Sequence, residues 1–263
     1  MSYRVFRTVA LTLALLTSIA LGAEARTSSP AASPTAALAP IAPLAAKLLT
    51  KACQAVASPK AFTFHAEILF DQVLPHDVKV QFAGAMDFAL QRPDKLAVDY
   101  KSDLGSKVLW YQNETLTILD ASHGVYSTIS VPNSIDGMLE QIARKQGLTI
   151  PLSDLAFSDP CRNLRKEIIF GAYIGVNDVN GVDCDHLAFS SNTQDYQLWL
   201  SRSGKPIPLK VVINYRTEPG SPEYIATLSD WEFPAEIPST RFQAAIPKGV
   251  KRIEFLNRKE SQP

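Results

Sequence analysis

The feature that most constrains this chain is a run of strict alternation near its N-terminal third. Phe62, Phe64, Ala66, Ile68 and Phe70 fall on one side of an extended chain, with His65 and Glu67 on the other. After a turn at Pro75-His76-Asp77 the alternation resumes with Val78, Val80, Phe82, Gly84, Met86 and Phe88. A period of two with one apolar face is incompatible with a helix and predicts half-buried antiparallel strands.

Shorter strands are expected downstream. "KLAVDYK" places Leu96, Val98 and Tyr100 on one side, and "KVLWYQ" and "TLTILD" flank a polar turn at Asn113-Glu114. "GVYSTISV" follows the turn at Ser122-His123-Gly124. The period then changes. In "NSIDGMLEQIARKQG", Ile135, Met138, Leu139 and Ile142 lie on one helical face, with Asn133 or Ser134 as N-cap and Gly147 as stop. "PLSDLAF" predicts a second short helical piece. Strands return at "IIFGAYIGVNDV", and Asn180-Gly181 is a strong hairpin signal into "VDCDHLAFS". "DYQLWLSR", "PLKVVINYR" and "EYIATLSDWEF" complete about ten or eleven strands. One more helix is expected from Pro43, with Leu48, Leu49, Ala52 and Val56 on one face. The fold class is therefore mainly β (α+β): a barrel or strongly curved antiparallel sheet with a central helical interruption.

The first 25 residues read as a secretory signal peptide. Arg4 and Arg7 form a basic start, Thr8 to Leu21 is a short apolar stretch, and Ala23-Glu24-Ala25 is a small-residue cleavage site. Residues 26–42 are a flexible Ala/Pro/Ser leader, 43–256 a single β domain, and 257–263 a frayed tail. Cleavage takes Arg4, Arg7 and Glu24 from 26 basic and 26 acidic residues, leaving 24 and 25, a formal charge of −1. A near-neutral chain without a basic run gives no case for nucleic acid. No second apolar stretch reaches the length of a membrane span.

Motifs for chemistry are sparse. There is no HExxH, CxxC or paired-histidine spacing, so no metal is expected; no GxSxG or phosphate loop is present, and no cofactor is expected. The densest polar stretch is "NGVDCDHLAF", residues 180–189. Asp178, Asp183 and Asp185 beside that hairpin read as solvated charges, because raising a carboxylate's pKa needs burial or crowding that a hairpin end does not offer. Cys184 and His186 share a strand face about 6.6 Å apart, with no third group to orient them. No catalytic residue is assigned. In an oxidising compartment three cysteines predict one disulfide and one free thiol. Cys161–Cys184 is the preferred pair, leaving Cys53 as a buried thiol; Cys53–Cys184 and Cys53–Cys161 stay open.

The order of these pieces resembles a known family. The glycine-bearing strand Gly84 to Leu90, "RPDKLAVDY", "LWYQNETLTILDASHGVYS", the helical insert, "DVNGVDCDHLAF", and "GKPIPLKVVINY" with "ATLSDWEF" resemble DUF2092, a family of predicted periplasmic proteins similar in pattern to LolA/LolB-like lipoprotein carriers. The resemblance implies a half-open, strongly curved sheet with helices across its concave face, in the periplasm. It also implies an apolar ligand (a lipid or the acyl chain of an acylated protein) held between sheet and helical lid. Phe62, Phe64, Ile68, Phe82, Met86, Phe88, Leu96, Val98 and Tyr100 would then form the sheet side, and Met138, Leu139 and Ile142 the lid side. The same rows are what a filled core would show. The alternative is an envelope interaction or structural protein with a filled core, and a third reading is a hydrolase using His186 or Asp183/Asp185.

Overall fold

The computed structural model describes residues 40–255. The expected signal peptide 1–25, nearly all of the leader 26–42 and the tail 257–263 lie outside the described residues.

Helix α1 (Pro43–Ala57) opens the fold, with proline in its first turn where its missing N–H costs no hydrogen bond. Its buried residues Ala45, Leu49, Ala52, Cys53 and Val56 recur at helical spacing and make one apolar stripe. A first meander follows: β1 (Ala61–Leu74), β2 (Val78–Gln91), β3 (Lys95–Ser102), β4 (Gly105–Gln112), β5 (Thr115–Asp120) and β6 (Val125–Ser130). The helical insert carries α2 (Ile135–Gln141), a π turn over Ile142–Gln146, a 3-10 turn over Ser153–Ala156, and α3 (Arg162–Glu167). A second meander contains β7 (Phe170–Val179), β8 (Val182–Ser190), β9 (Asp195–Ser201), β10 (Pro208–Asn214) and β11 (Glu223–Glu232), and the described chain closes with β12 (Lys251–Arg252). The eleven longer strands are those expected from alternation. The two-residue β12 and the single-turn α3 are additions, too short for any periodicity to announce.

All twelve strands form one sheet in the order β12-β6-β5-β4-β3-β2-β1-β11-β10-β9-β8-β7. The two meanders join where β1 pairs antiparallel with β11. The sheet does not close, because β12 and β7 are its free edges. It is a curved half-open barrel whose concave face carries α1 and the insert. Registers are regular through the first meander: Phe64 opposite Phe88, and Phe88 opposite Val98. That alignment puts the expected apolar rows on one face.

The expected caps hold. Ser134 accepts a hydrogen bond from Gly137 N at 3.1 Å, and Gly147 ends the helical run in the left-handed region at φ 63°. The Asn180-Gly181 turn has φ 52° and 82°, the two positive values a two-residue hairpin of this type requires.

The preferred disulfide does not form. Cys53 bonds Cys161, with Cα atoms 5.7 Å apart, and Cys184 is the buried free thiol. The reason is strand parity. Leu187 and Phe189 pack with Cys53 and Cys161 in one concave cluster. Cys184 is an odd number of residues from Leu187 and Phe189 in a strand of unbroken register with β9, so it points to the opposite face. The bond ties α1 to the start of α3 across 108 residues. The last leader residues are also engaged: Gly171 N donates to Pro40 O and Ala42 N donates to Gly171 O, each at 2.8 Å.

Candidate functional site

The concave face is partly filled and partly hollow. Phe62, Phe64, Ile68, Met86, Phe88, Leu96, Val98, Met138, Leu139 and Ile142 are all buried in a single cluster, and Tyr100 packs against it. Its centre is aromatic: Phe64 stands 4.7 Å, centroid to centroid, from both Phe88 and Trp231. Phe82 lies outside that cluster, half-buried and stacked on Phe70 at 5.9 Å. The expected sheet and lid rows therefore do meet, and over much of their length they interdigitate.

Among the described residues, three chambers lie between sheet and helices. The first, about 420 Å³, has Met86, Val98, Tyr100, Leu109 and Ile118 as its floor and Leu148 to Pro151 of the insert as its roof. Ile253 and Phe255 form its outer wall, because the chain wraps past β6 and returns over the concave rim. The second, about 460 Å³, lies on the other side of the same roof, which contributes Leu148 to Pro151 to both. It is lined by Leu139 and Ile142 from above, by Tyr196, Ile213 and Tyr224 from the sheet, and by Tyr215 just past the end of β10. The third, about 160 Å³, lies under α1 beside the disulfide, against Leu198, Leu200 and Val211. Among the expected residues, Met86, Val98 and Tyr100 line the first chamber and Leu139 and Ile142 the second; Phe62, Phe64, Ile68, Phe82, Phe88, Leu96 and Met138 line none of the three.

Gly84 packs closely against β3, next to one wall residue of the first chamber, Tyr100. A Cβ there would stand 3.0 Å from both the Lys101 carbonyl oxygen and Ser102 Cβ, and 3.3 Å from Tyr100 Oη, so a side chain at this position presses on β3 and on Tyr100. At the mouth, Lys107 Nζ pairs with Asp120 Oδ2 at 2.6 Å. Burial works to raise the Asp120 pKa, but hydrogen bonds from Lys107 and His123 outweigh it and hold the carboxyl below its ordinary value. Ser127 Oγ is buried in the wall with no protein partner. In the second chamber Tyr224 Oη is likewise buried and unpartnered, and desolvation pushes its pKa up.

The polar stretch around Cys184 sits elsewhere and is structurally engaged. Asp178 Oδ1 accepts from Gly181 N at 3.0 Å, closing the hairpin. Asp185 accepts from Arg202 Nη1 at 3.2 Å and from Tyr173 Oη at 3.1 Å, so it does not face open water as expected. His186 hydrogen-bonds Asn177 and Gln197 and stacks on Trp199 at 4.0 Å. Burial, with Asp178, Asp183 and Asp185 nearby, pushes the Cys184 thiol up to about 11. On the opposite, convex sheet face of the first meander, His65 bridges Asp87 and Glu67.

Sequence reasoning placed Leu109, Ile118, Tyr196 and Tyr224 on strands without assigning their faces. Parity would have found them, since Leu109 sits opposite Val98 and Tyr224 opposite Phe70. The roof and the returning C-terminal segment carry no local signal.

An open curved sheet that keeps hollow, mainly apolar chambers beneath a helical insert defines the class of this molecule. The chain belongs to DUF2092, a family of predicted periplasmic proteins, whose profile matches residues 45–256. That description agrees with the export expected from the N-terminal sequence, and the protein is periplasmic. Among the described residues no helix is long and apolar enough to cross a membrane. No curated protein matches the chain. Among solved structures it is similar to the Mycobacterium tuberculosis lipoprotein LppX, at 10% identity over 74% of this chain and 99% of that one, with a TM-score of 0.49. It is similar also to LprF from Mycobacterium bovis, at 14% identity over 76% and 98%, TM-score 0.48. A third is the LolA superfamily protein NE2245 from Nitrosomonas europaea, at 12% identity over 76% and 97%, TM-score 0.39. These are similarities of chain course alone.

Proposed function

We propose that this protein is a periplasmic binding protein or carrier for an apolar ligand, a lipid or acyl chain, held between the curved sheet and the insert. The observation that carries the reading is the first chamber: about 420 Å³ of space, within the roughly 300–1,000 Å³ of small-ligand sites, walled chiefly by aliphatic and aromatic side chains. An alkyl chain there would be driven in by burial of apolar area, worth about 25 cal/mol per Å². Met86, Val98 and Tyr100 would contact it in the first chamber, and Leu139 and Ile142 would do so for any part that reaches the second, while the Phe62, Phe64 and Phe88 stack lines neither and belongs to the packed core. Organic extraction of the purified mature protein, followed by mass spectrometry, tests this. Co-purifying lipid in near-stoichiometric amount is expected; a folded protein that yields none and takes up none on incubation with mixed envelope lipids counts against it.

A second reading, docking to an envelope protein, has one observation behind it. Apart from the pairing of Gly171 with residues 40–42, the outer edge at β7 and the residue before it expose Ile169, Phe170, Ile174 and Val176, each about half accessible. Replacing Phe170 and Ile174 by lysine would abolish such docking in a cross-linking assay and leave lipid content unchanged.

A further inference from the structure

The polar groups of the concave face are unevenly distributed. The first chamber is walled mainly by apolar side chains such as Met86, Val98, Leu109 and Ile118; its one cation, Lys107, is already paired with Asp120 at 2.6 Å, and Ser127 Oγ is buried in its wall without a protein partner. The second adds three tyrosines, Tyr196, Tyr215 and Tyr224, with Gln194 and Asn163. Tyr196 Oη is satisfied, donating to Gln194 Oε1. Tyr224 Oη is buried with no protein partner. Its cross-strand neighbours are Ile213 and Phe70, neither of which has a side chain that could serve as one. A buried unpaired hydroxyl makes the fold less stable than phenylalanine would, so its presence asks for an outside partner. The charge of the chamber narrows the choice. Among the described residues no lysine or arginine lines it, and its one carboxylate, Asp154, accepts a hydrogen bond from Asn163 Nδ2 at 3.3 Å while desolvation raises its pKa. A phosphate or carboxylate head group would lose its water there and find no cation in return.

We infer that the ligand is an uncharged amphiphile bearing hydroxyl or amide groups. Its head lies in the tyrosine-lined chamber against Tyr224 Oη, and its alkyl chain runs past Leu148–Pro151 into the first chamber. The inference rests on the apolar-ligand reading and specifies the ligand's head. Tyr224→Phe isolates it, because removing an unpaired hydroxyl leaves the packing intact.

The test is displacement of a fluorescent alkyl probe from delipidated mature protein by four competitors of equal chain length: a monoacylglycerol, a fatty acid, a lysophosphatidylglycerol and an alkylamine. The monoacylglycerol is expected to displace at the lowest concentration. Tyr224→Phe is expected to weaken it about three- to tenfold, the effect of one hydrogen bond, while leaving the fatty acid unchanged and Tm equal or higher. Equal potency for all four, preference for either anion or for the amine, an unaffected monoacylglycerol in Tyr224→Phe, or a lowered Tm in that variant would each overturn it. Failure of the wild type to bind the probe at all would instead overturn the broader apolar-ligand reading.

Discussion

The two halves of the sheet cover their concave faces by different means. Over β7–β10 the cover is α1, clamped by the Cys53–Cys161 bond, by backbone hydrogen bonds of Pro40 and Ala42 to Gly171, and by Ala45 and Leu49 packing on Leu187, Phe189 and Leu200. Over β1–β6 the roof is the Leu148–Pro151 segment, where Leu148 N donates to Ile142 O and Ser153 N to Ile150 O, both within the insert itself. The clamped cover encloses about 160 Å³, whereas the self-bonded roof segment borders a chamber of about 420 Å³ over the first meander and one of about 460 Å³ over β9–β11. Covalent closure accompanies a nearly filled interior, and local closure accompanies a hollow one.

The sharpest way to break this contrast is to remove the clamp. Cys53→Ser with Cys161→Ser opens a loop of 108 residues, for which the chain-entropy relation gives about 4.7 kcal/mol; a loss of about 2–5 kcal/mol is expected in urea unfolding. Peptide mapping should find Cys184 as the one free thiol, unreactive until the chain unfolds. A loss below about 1 kcal/mol would mean that α1 is held by packing alone.

Next in size is the difference between packed and hollow floor. Phe64→Ala is expected to cost about 3–5 kcal/mol, because its ring lies between Phe88 and Trp231 and is 2% exposed. Ile118→Ala, facing the first chamber, should cost under about 2 kcal/mol, since it has fewer atoms to lose contact with. Equal losses would show that the chamber is no more open than the core. Gly84→Val should cost about 1–3 kcal/mol through collision with the Lys101 carbonyl and Tyr100, and should reduce the first chamber's capacity for a probe.

The smallest expected effect separates the halves by pH. Hydrogen bonds to Asp87 and Glu67 raise the His65 pKa, so its contribution is full below about 6.5 and fades as pH rises through the raised value. Burial lowers the His186 pKa, partly offset by Gln197 and reinforced by Lys210, so its contribution is full above about 6.5 and fades as pH falls. Thermal unfolding across pH 5–8 should lose its alkaline slope in His65→Gln and its acid slope in His186→Gln.

The strands, the helical faces and the apolar rows were legible because period two and period 3.6 are written locally in residues such as Phe62 to Phe70 and Ile135 to Ile142. The cysteine pairing was not, because it depends on which face Cys184 takes relative to Cys161, a relation between elements far apart in the chain. Nor were the chambers. Val98 and Leu96 alternate identically on β3, yet only Val98 borders a void. Whether an inward residue meets packing or space is decided by where the roof and the Ile253–Phe255 return settle, and neither has a periodicity to read.

The most direct test of ligand binding is equilibrium titration of delipidated mature protein with a fluorescent alkyl probe, run beside an Ile118→Trp variant that fills the first chamber. The apolar-ligand reading predicts saturable one-site binding by the wild type, and at least tenfold weaker binding by the variant at an unchanged Tm. Saturable binding that the filled chamber leaves untouched, or no binding by a fully folded wild type, would contradict it.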